Sequence, residues 1–337
     1  MRKVEYLSPT AIALYYSDPE AYYLKYLSVK RPPREPQNAA MAVGSAFDAY
    51  VKAYLHEAIF GKGHDPKFEF TALFEAQVEP QNRKVALEDG GWCFEWYRRL
   101  GAVADLLLDL NQSVGKPRFE IDLRGVVSGV REGTTSEIVG VPFNGKPDCF
   151  FISKDGAHVI LDWKVNGFYS KSAPSPVPGY VKLREDGKLA TSHKDCKLET
   201  RSGVTVNVAK GLEELDADWA RQLTIYSVQT GQEIGSEFIA RIEQLVCKAA
   251  PMGAGKPKIR VASHSLLVSP TYQQKVFDDA RRLWEILNPA KPEDFHFFTD
   301  LPIEDSRGKC ALLEKRAETV YGDNMTEQDK WFADISR

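Results

Sequence analysis

The chain has 337 residues, with 44 Lys+Arg against 47 Asp+Glu, a formal net charge of −3, 43% hydrophobic and 27% charged residues. This is the balance of a soluble globular protein, long enough to bury a large core without a covalent staple, and it excludes wholesale disorder. The five cysteines are odd in number and lack a C-x-x-C pair, which argues against a disulfide framework, a structural zinc site or an iron–sulfur cluster. The most apolar run, residues 100–110, is broken by Asp105 and Asp109, so no membrane span is expected. The start, Met1-Arg2-Lys3-Val4-Glu5, lacks the apolar block of a signal peptide, and a cytoplasmic protein is expected.

In chain order, Leu7-Ser8-Pro9 opens a short helix and Ser17-Asp18-Pro19 a second, carrying Tyr22, Tyr23, Tyr26 and Leu27. Met41, Phe47, Tyr50, Val51, Tyr54 and Leu55 recur with helical spacing, and another helix is predicted over 92–110. Strands are predicted over 119–127, 136–141, 148–153 and 158–165, then a helix over 215–229. Two more strands, 237–248 and 259–268, precede a helix that starts at Ser269-Pro270 and ends near 287. The order predicts an α/β domain with a mixed sheet and helical additions at both ends. Its parts are a helical entry over about 1–112, a core over about 113–268 and a helical segment over about 269–337.

Charge is uneven along the chain. Residues 164–210 hold nine Lys/Arg against four Asp/Glu and are rich in Ser, Pro and Gly, the composition of a basic excursion inserted at about 166–212. A second basic patch holds Lys248, Lys256, Lys258 and Arg260. Either patch suits phosphate, and either is equally a solvated loop.

Familiar catalytic motifs fail. Gly253-Ala254-Gly255-Lys256 lacks the earlier Gly and the following Ser/Thr of a phosphate loop. There is no G-x-S-x-G, no G-x-G-x-x-G after a strand and no H-E-x-x-H, and the six histidines do not cluster.

One constellation survives. Residues 145–164 read as two apolar runs flanking Lys154-Asp155-Gly156, a hairpin signal. A three-residue loop ending on a left-handed Gly156 sets Asp148 opposite Asp162; a two-residue Asp-Gly loop instead turns Asp162 to the other face. In the first register the two carboxylates lie about 5 Å apart and Lys164 shares their face. Two ionised carboxylates at that spacing repel by about 3 kcal/mol at an effective dielectric near 20. A shared proton, a cation or Lys164 would compensate, and oxygen donors without His or Cys suit Mg²⁺ or Mn²⁺. The alternative is a surface hairpin with an ordinary Asp–Lys pair.

Pro147-Asp148, thirteen residues, then Asp162-x-Lys164 resembles the PD-(D/E)XK nuclease signature. The wider pattern is similar to the RecB-type branch. Residues 7–27 resemble its helical entry, Gly44-x-x-x-Asp48 its G-x-x-x-H motif, Gln222-x-x-x-Tyr226 its Q-x-x-x-Y motif, and Gly308-Lys309-Cys310 its closing region. Asp48 stands where the branch has His, and Asp18 where its iron–sulfur members have their first Cys, so no cluster is expected.

The resemblance implies a restriction-endonuclease-like fold and a divalent-metal-dependent DNA nuclease, first of all an exonuclease in recombination, repair or phage DNA metabolism. Such a chain works in a bacterial or phage-infected cell, with a recombination or replication protein as candidate partner. An endonuclease and a non-catalytic DNA-binding protein are the rivals. Asp148, Asp162, the Trp163 carbonyl and Asp48 are then the expected metal ligands, and Lys164, Gln222 and Tyr226 complete the catalytic set. Glu120 is weighed as a further acid and set down as structural. Lys171, Lys182, Arg184, Arg221 and Tyr169 are the expected DNA contacts, with Phe168 and Tyr180 as candidate stacking surfaces.

Overall fold

The computed structural model describes residues 1–120, 125–127, 140–169, 181–183, 189–191, 196–248 and 255–322. Helices α1 (Pro9–Ser17) and α2 (Pro19–Tyr22) each begin on a proline with a capping side chain just before it. Ser8 Oγ accepts from the Ala11 N–H at 3.1 Å and Asp18 Oδ1 from the Ala21 N–H at 2.9 Å. These bonds satisfy donors that a helix start leaves open. A π-helical turn, Tyr23–Leu27, extends α2. Next come α3 (Ala39–Phe60), α4 (Phe70–Gln77), α5 (Arg83–Arg99) and α6 (Ala102–Asn111). The helix predicted over 92–110 is thus two, parted where Gly101 takes φ +85° and turns the chain.

The strands are β1 (Arg118–Phe119), β2 (Gly125–Val127), β3 (Val141–Phe143), β4 (Cys149–Ile152), β5 (His158–Asn166), β6 (Val181–Leu183), β7 (Leu189–Thr191), β8 (Leu198–Arg201), β9 (Val204–Asn207), β10 (Ile239–Lys248) and β11 (Lys258–Leu267). Nine form one mixed sheet of order β1-β4-β5-β10-β11-β6-β7, with β9 joined to β11 and β8 to β9; β2 and β3 form a separate ribbon. β5 and β10 run parallel, and the crossover between them carries α7 (Leu212–Leu215) and α8 (Ala217–Gln229). After the sheet come α9 (Pro270–Leu287) and α10 (Ile303–Tyr321). Among the described residues no helix is long and apolar enough to cross a membrane.

Alternation along β5 divides the core. Val159, Leu161 and Trp163 face the layer of α3, α4, α5 and α6, while Ile160 faces the layer of α1, α8 and α9. Asp162 and Lys164 follow Ile160 on the α8 side. The excursion expected at 166–212 differs from a surface loop: β6 pairs with β11, β9 joins β11, and Val206 is fully buried. Short edge strands held by main-chain bonds leave no apolar alternation to read in such a segment.

Candidate active site

The β4–β5 turn decides the geometry. Gly156 takes φ +91°, its N–H donates to Ser153 O at 2.9 Å, and the Ser153 N–H donates to Ala157 O at 2.8 Å. The loop is therefore the three-residue one, and Cys149 pairs with Leu161 and Ile152 with His158. One step beyond, Asp148 comes level with Asp162. The Trp163 N–H donates to Asp148 Oδ2 at 3.0 Å and fixes that carboxylate across the strands.

Asp162 is 4% exposed. Its Oδ2 lies 2.6 Å from Lys164 Nζ and its Oδ1 accepts from Gln222 Nε2 at 3.2 Å. Burial lifts its pKa to about 6, against the pull of Lys164 and with the help of the Asp148 charge. Burial pulls the Lys164 ammonium down, but Asp162 more than offsets it and raises the net pKa. Gln222 and Tyr226 sit one turn apart on α8, whose first turn is capped by Asp216. Gln222 Nε2 also donates to the Tyr226 hydroxyl at 3.2 Å, and Lys164 Nζ donates to Gln222 Oε1 at 3.4 Å. The amide of Gln222 thereby ties Asp162, Lys164 and Tyr226 together.

The second half of the site comes from α3. Asp48, one turn after Gly44, places Oδ2 2.7 Å from Lys52 Nζ, one turn further on. Lys52 is 1% exposed and also donates to Asp148 Oδ1 at 2.8 Å and to Glu120. Glu120 follows β1 with a left-handed φ of +49°, and it pairs with Lys146 as well. That backbone conformation is costly for a residue with a Cβ, and it turns the carboxylate toward the cluster. Asp48, Glu120 and Asp148 each offer an oxygen within 4.8 Å of the others, a grouping able to hold a metal ion. Burial lifts the Asp48 pKa to about 7, opposed by Lys52 and aided by Asp148 and Glu120. Burial alone would lower the Lys52 pKa, yet Asp148, Asp48 and Glu120 hold it well above the usual lysine value.

Asp48, Asp148, Asp162 and Lys164 line a cleft of about 680 Å³ together with Arg34, Met41, Gly44, Ser45, Gln77 and Glu79. A latch holds the lining together. The Gln37 N–H donates to Glu79 Oε2 at 2.9 Å, and the Glu79 N–H donates back to Gln37 Oε1 at 3.0 Å.

The cleft therefore gathers Asp48, Asp148, Asp162, Trp163 and Lys164, with Gln222 and Tyr226 behind Asp162. Two of the expected DNA contacts, Arg221 and Tyr169, do not join them. Arg221 pairs with Asp218 at 2.6 Å, and Tyr169 donates to Asp89 Oδ2 on α5 at 2.5 Å; neither lines the cleft. Phe168 is buried in the core and offers no stacking face, a correction to the sequence expectation. Only the backbone of Lys182 is described, in β6; Lys171, Tyr180 and Arg184 lie outside the described residues. In the second basic patch, Lys256 is taken up by Glu88 at 2.8 Å and Asp89 at 3.4 Å. Sequence reasoning missed Lys52 and underrated Glu120. For Lys52 a signal existed: a lysine one turn after Asp48, flanked by the apolar Val51 and Leu55 of the same helix.

A family model for the PD-(D/E)XK nuclease superfamily matches residues 6–177, more than half of the chain. The chain belongs to the PD-(D/E)XK nuclease superfamily. Its mixed sheet flanked by helices is the restriction-endonuclease-like fold of that superfamily. No curated protein matches the chain. The matched stretch ends before α8, so Gln222 and Tyr226 are set beside Asp162 and Lys164 by the geometry alone. PD-(D/E)XK nucleases use divalent metals and act on DNA. The donors here fit such an ion: they are all carboxylate oxygens, which suit hard cations. Among the described residues the buried Asp48 Oδ1 has no hydrogen-bond partner, so a cation would find an oxygen waiting.

Proposed function

We propose that this PD-(D/E)XK protein is a Mg²⁺- or Mn²⁺-dependent deoxyribonuclease of the RecB-type branch, acting as an exonuclease in recombination, repair or phage DNA metabolism. The observation that carries the reading is the convergence of Asp148, Asp162 and Lys164 from one hairpin in the cleft, clamped by Gln222.

Asp148, Asp162, Asp48 and the Trp163 carbonyl would hold the ion. Bound there, a divalent ion supplies a Lewis acid for the phosphoryl oxygen and lowers the pKa of a coordinated water. The protein's own part is positioning and charge. Lys164 stays an ammonium because Asp162 holds its proton, so it donates to the scissile phosphate and steadies the charge that grows there. Gln222 fixes the Lys164 and Asp162 rotamers, and Tyr226 backs Gln222.

The test is incubation of labelled linear single- and double-stranded DNA and a closed circle with Mg²⁺, Mn²⁺ or EDTA, with Lys164→Ala as control. Metal-dependent loss of the linear forms, the circle spared, and a drop of about 10²–10³-fold in Lys164→Ala are expected, as for removal of one charge-stabilising donor. A nicked or linearised circle would make the enzyme an endonuclease. No cleavage under any condition would leave only a DNA-binding role.

A further inference from the structure

The Lys52 ammonium has three N–H donors and sits among three carboxylates. Asp48 Oδ2 lies at 2.7 Å, Asp148 Oδ1 at 2.8 Å and Glu120 within hydrogen-bond reach. Each donor has an acceptor, and the side chain is 1% exposed. The amine also lies 6.0 Å from the centre of the Trp163 ring, which favours a cation at that point. A compact group of oxygens suited to a metal ion is thus already filled by a charge covalently tied to α3.

Charge arithmetic favours the same occupant. Asp48, Glu120, Asp148 and Asp162 contribute four negative charges; Lys52 and Lys164 contribute two positive ones, leaving −2, while the mostly exposed Lys146 is screened by solvent. Without DNA, one divalent ion neutralises the cluster. Two divalent ions would leave +2 in a place where unbalanced charge is costly.

We propose that Lys52 is a resident cation standing in the place of a second metal ion, so that this nuclease loads one divalent ion per chain on the carboxylate oxygens that Lys52 leaves open. The inference rests on the metal-dependent nuclease reading. Carboxylate oxygens carry a second lone pair, so Asp148 serves the lysine and the ion together. Asp48 serves the lysine through Oδ2 and keeps Oδ1 for the ion. Lys52 is then a positioning residue that sets the metal count and need not touch DNA.

The experiment is calorimetric titration of the full chain with Mn²⁺ near pH 8 without DNA, with electron paramagnetic resonance of the frozen loaded protein. The expected result is one Mn²⁺ per wild-type chain with no Mn–Mn coupling, and two coupled ions in Lys52→Met. Glu120→Gln guards against misfolding of Lys52→Met: one ion per chain in that variant supports the inference. Two coupled ions in the wild type, or a fall from two to one in Glu120→Gln, overturns it while leaving the nuclease reading intact. A folded Lys52→Met that still binds one ion also overturns it. A wild-type chain that binds no Mn²⁺ and cuts no DNA in its presence overturns the nuclease reading itself.

Discussion

Replacing Asp162 with Asn should change how the stability of the metal-free protein responds to pH. In the folded chain the Asp162 carboxyl ionises only near pH 6, against 3.8 when unburied and unpaired. The folded form holds the proton more tightly, so this contribution to stability is fully present below about pH 4 and is lost as pH rises through 6. A rise from 3.8 to about 6, at about 1.36 kcal/mol per pH unit, corresponds to about 3 kcal/mol. For 337 residues at ~2.1 cal/mol/K each, the unfolding entropy is ~0.7 kcal/mol/K, so about 3 kcal/mol moves Tm by about 4 °C. Other groups titrate in the same window. Burial lowers the pKa of His264, His56 and His158, and these favour the folded state as pH rises through the histidine range. The observable is therefore a difference. Tm of wild type minus Tm of Asp162→Asn, measured in EDTA by circular dichroism, should fall by about 4 °C between pH 4 and 7.5. Ca²⁺ should restore the wild type more at pH 7.5 than at pH 5, because the ion competes with the proton for the same oxygens. A difference that stays constant across this range would refute a buried Asp162 carboxyl with a raised pKa.

Two further perturbations probe what surrounds the site. Gly145→Ala sets a Cβ 2.5 Å from Tyr226 Cε1 and 2.5 Å from Gln229 Oε1. It should cost about 1–3 kcal/mol by overpacking, with cleavage falling more steeply than stability as Tyr226 and Gln222 shift; single-turnover assays beside urea melts would separate the two. Arg241→Met removes the Nε that pairs with the fully buried Glu243 at 2.8 Å and the Nη1 that pairs with Asp109 at 2.6 Å. Glu243 keeps Ser263 Oγ at 2.7 Å, and an uncompensated buried charge costs about 3–5 kcal/mol, so urea denaturation should show a loss of that size.

The hairpin was legible because its decisive residue is local. Gly156 can take a left-handed turn where its neighbours cannot readily do so, and that residue sets the register of Asp148 and Asp162. The caps at Ser8, Asp18 and Ser269 mark helix starts for the same reason. The other half of the cluster depends on contacts distant in sequence. Nothing in the type of residue 120 announces a positive φ, since a glutamate takes one only when the fold imposes it. For Lys52 the apolar neighbours Val51 and Leu55 signal burial, but its partner Asp148 lies 96 positions away and only the fold brings the two together. Arg221 and Lys256 look ready for phosphate in the sequence, and the fold sets acids beside each, which the sequence order does not announce for Lys256.

The cluster straddles two layers, since Asp48 and Lys52 ride on α3 while Asp162 lies on the interior strand β5 and Asp148 just before β4. A nascent or heat-loosened chain in which helix and sheet have not yet met carries only half of this cluster. On the proposed nuclease reading, an incompletely folded chain is therefore unarmed, and a genome sharing its compartment meets hydrolysis only from finished molecules.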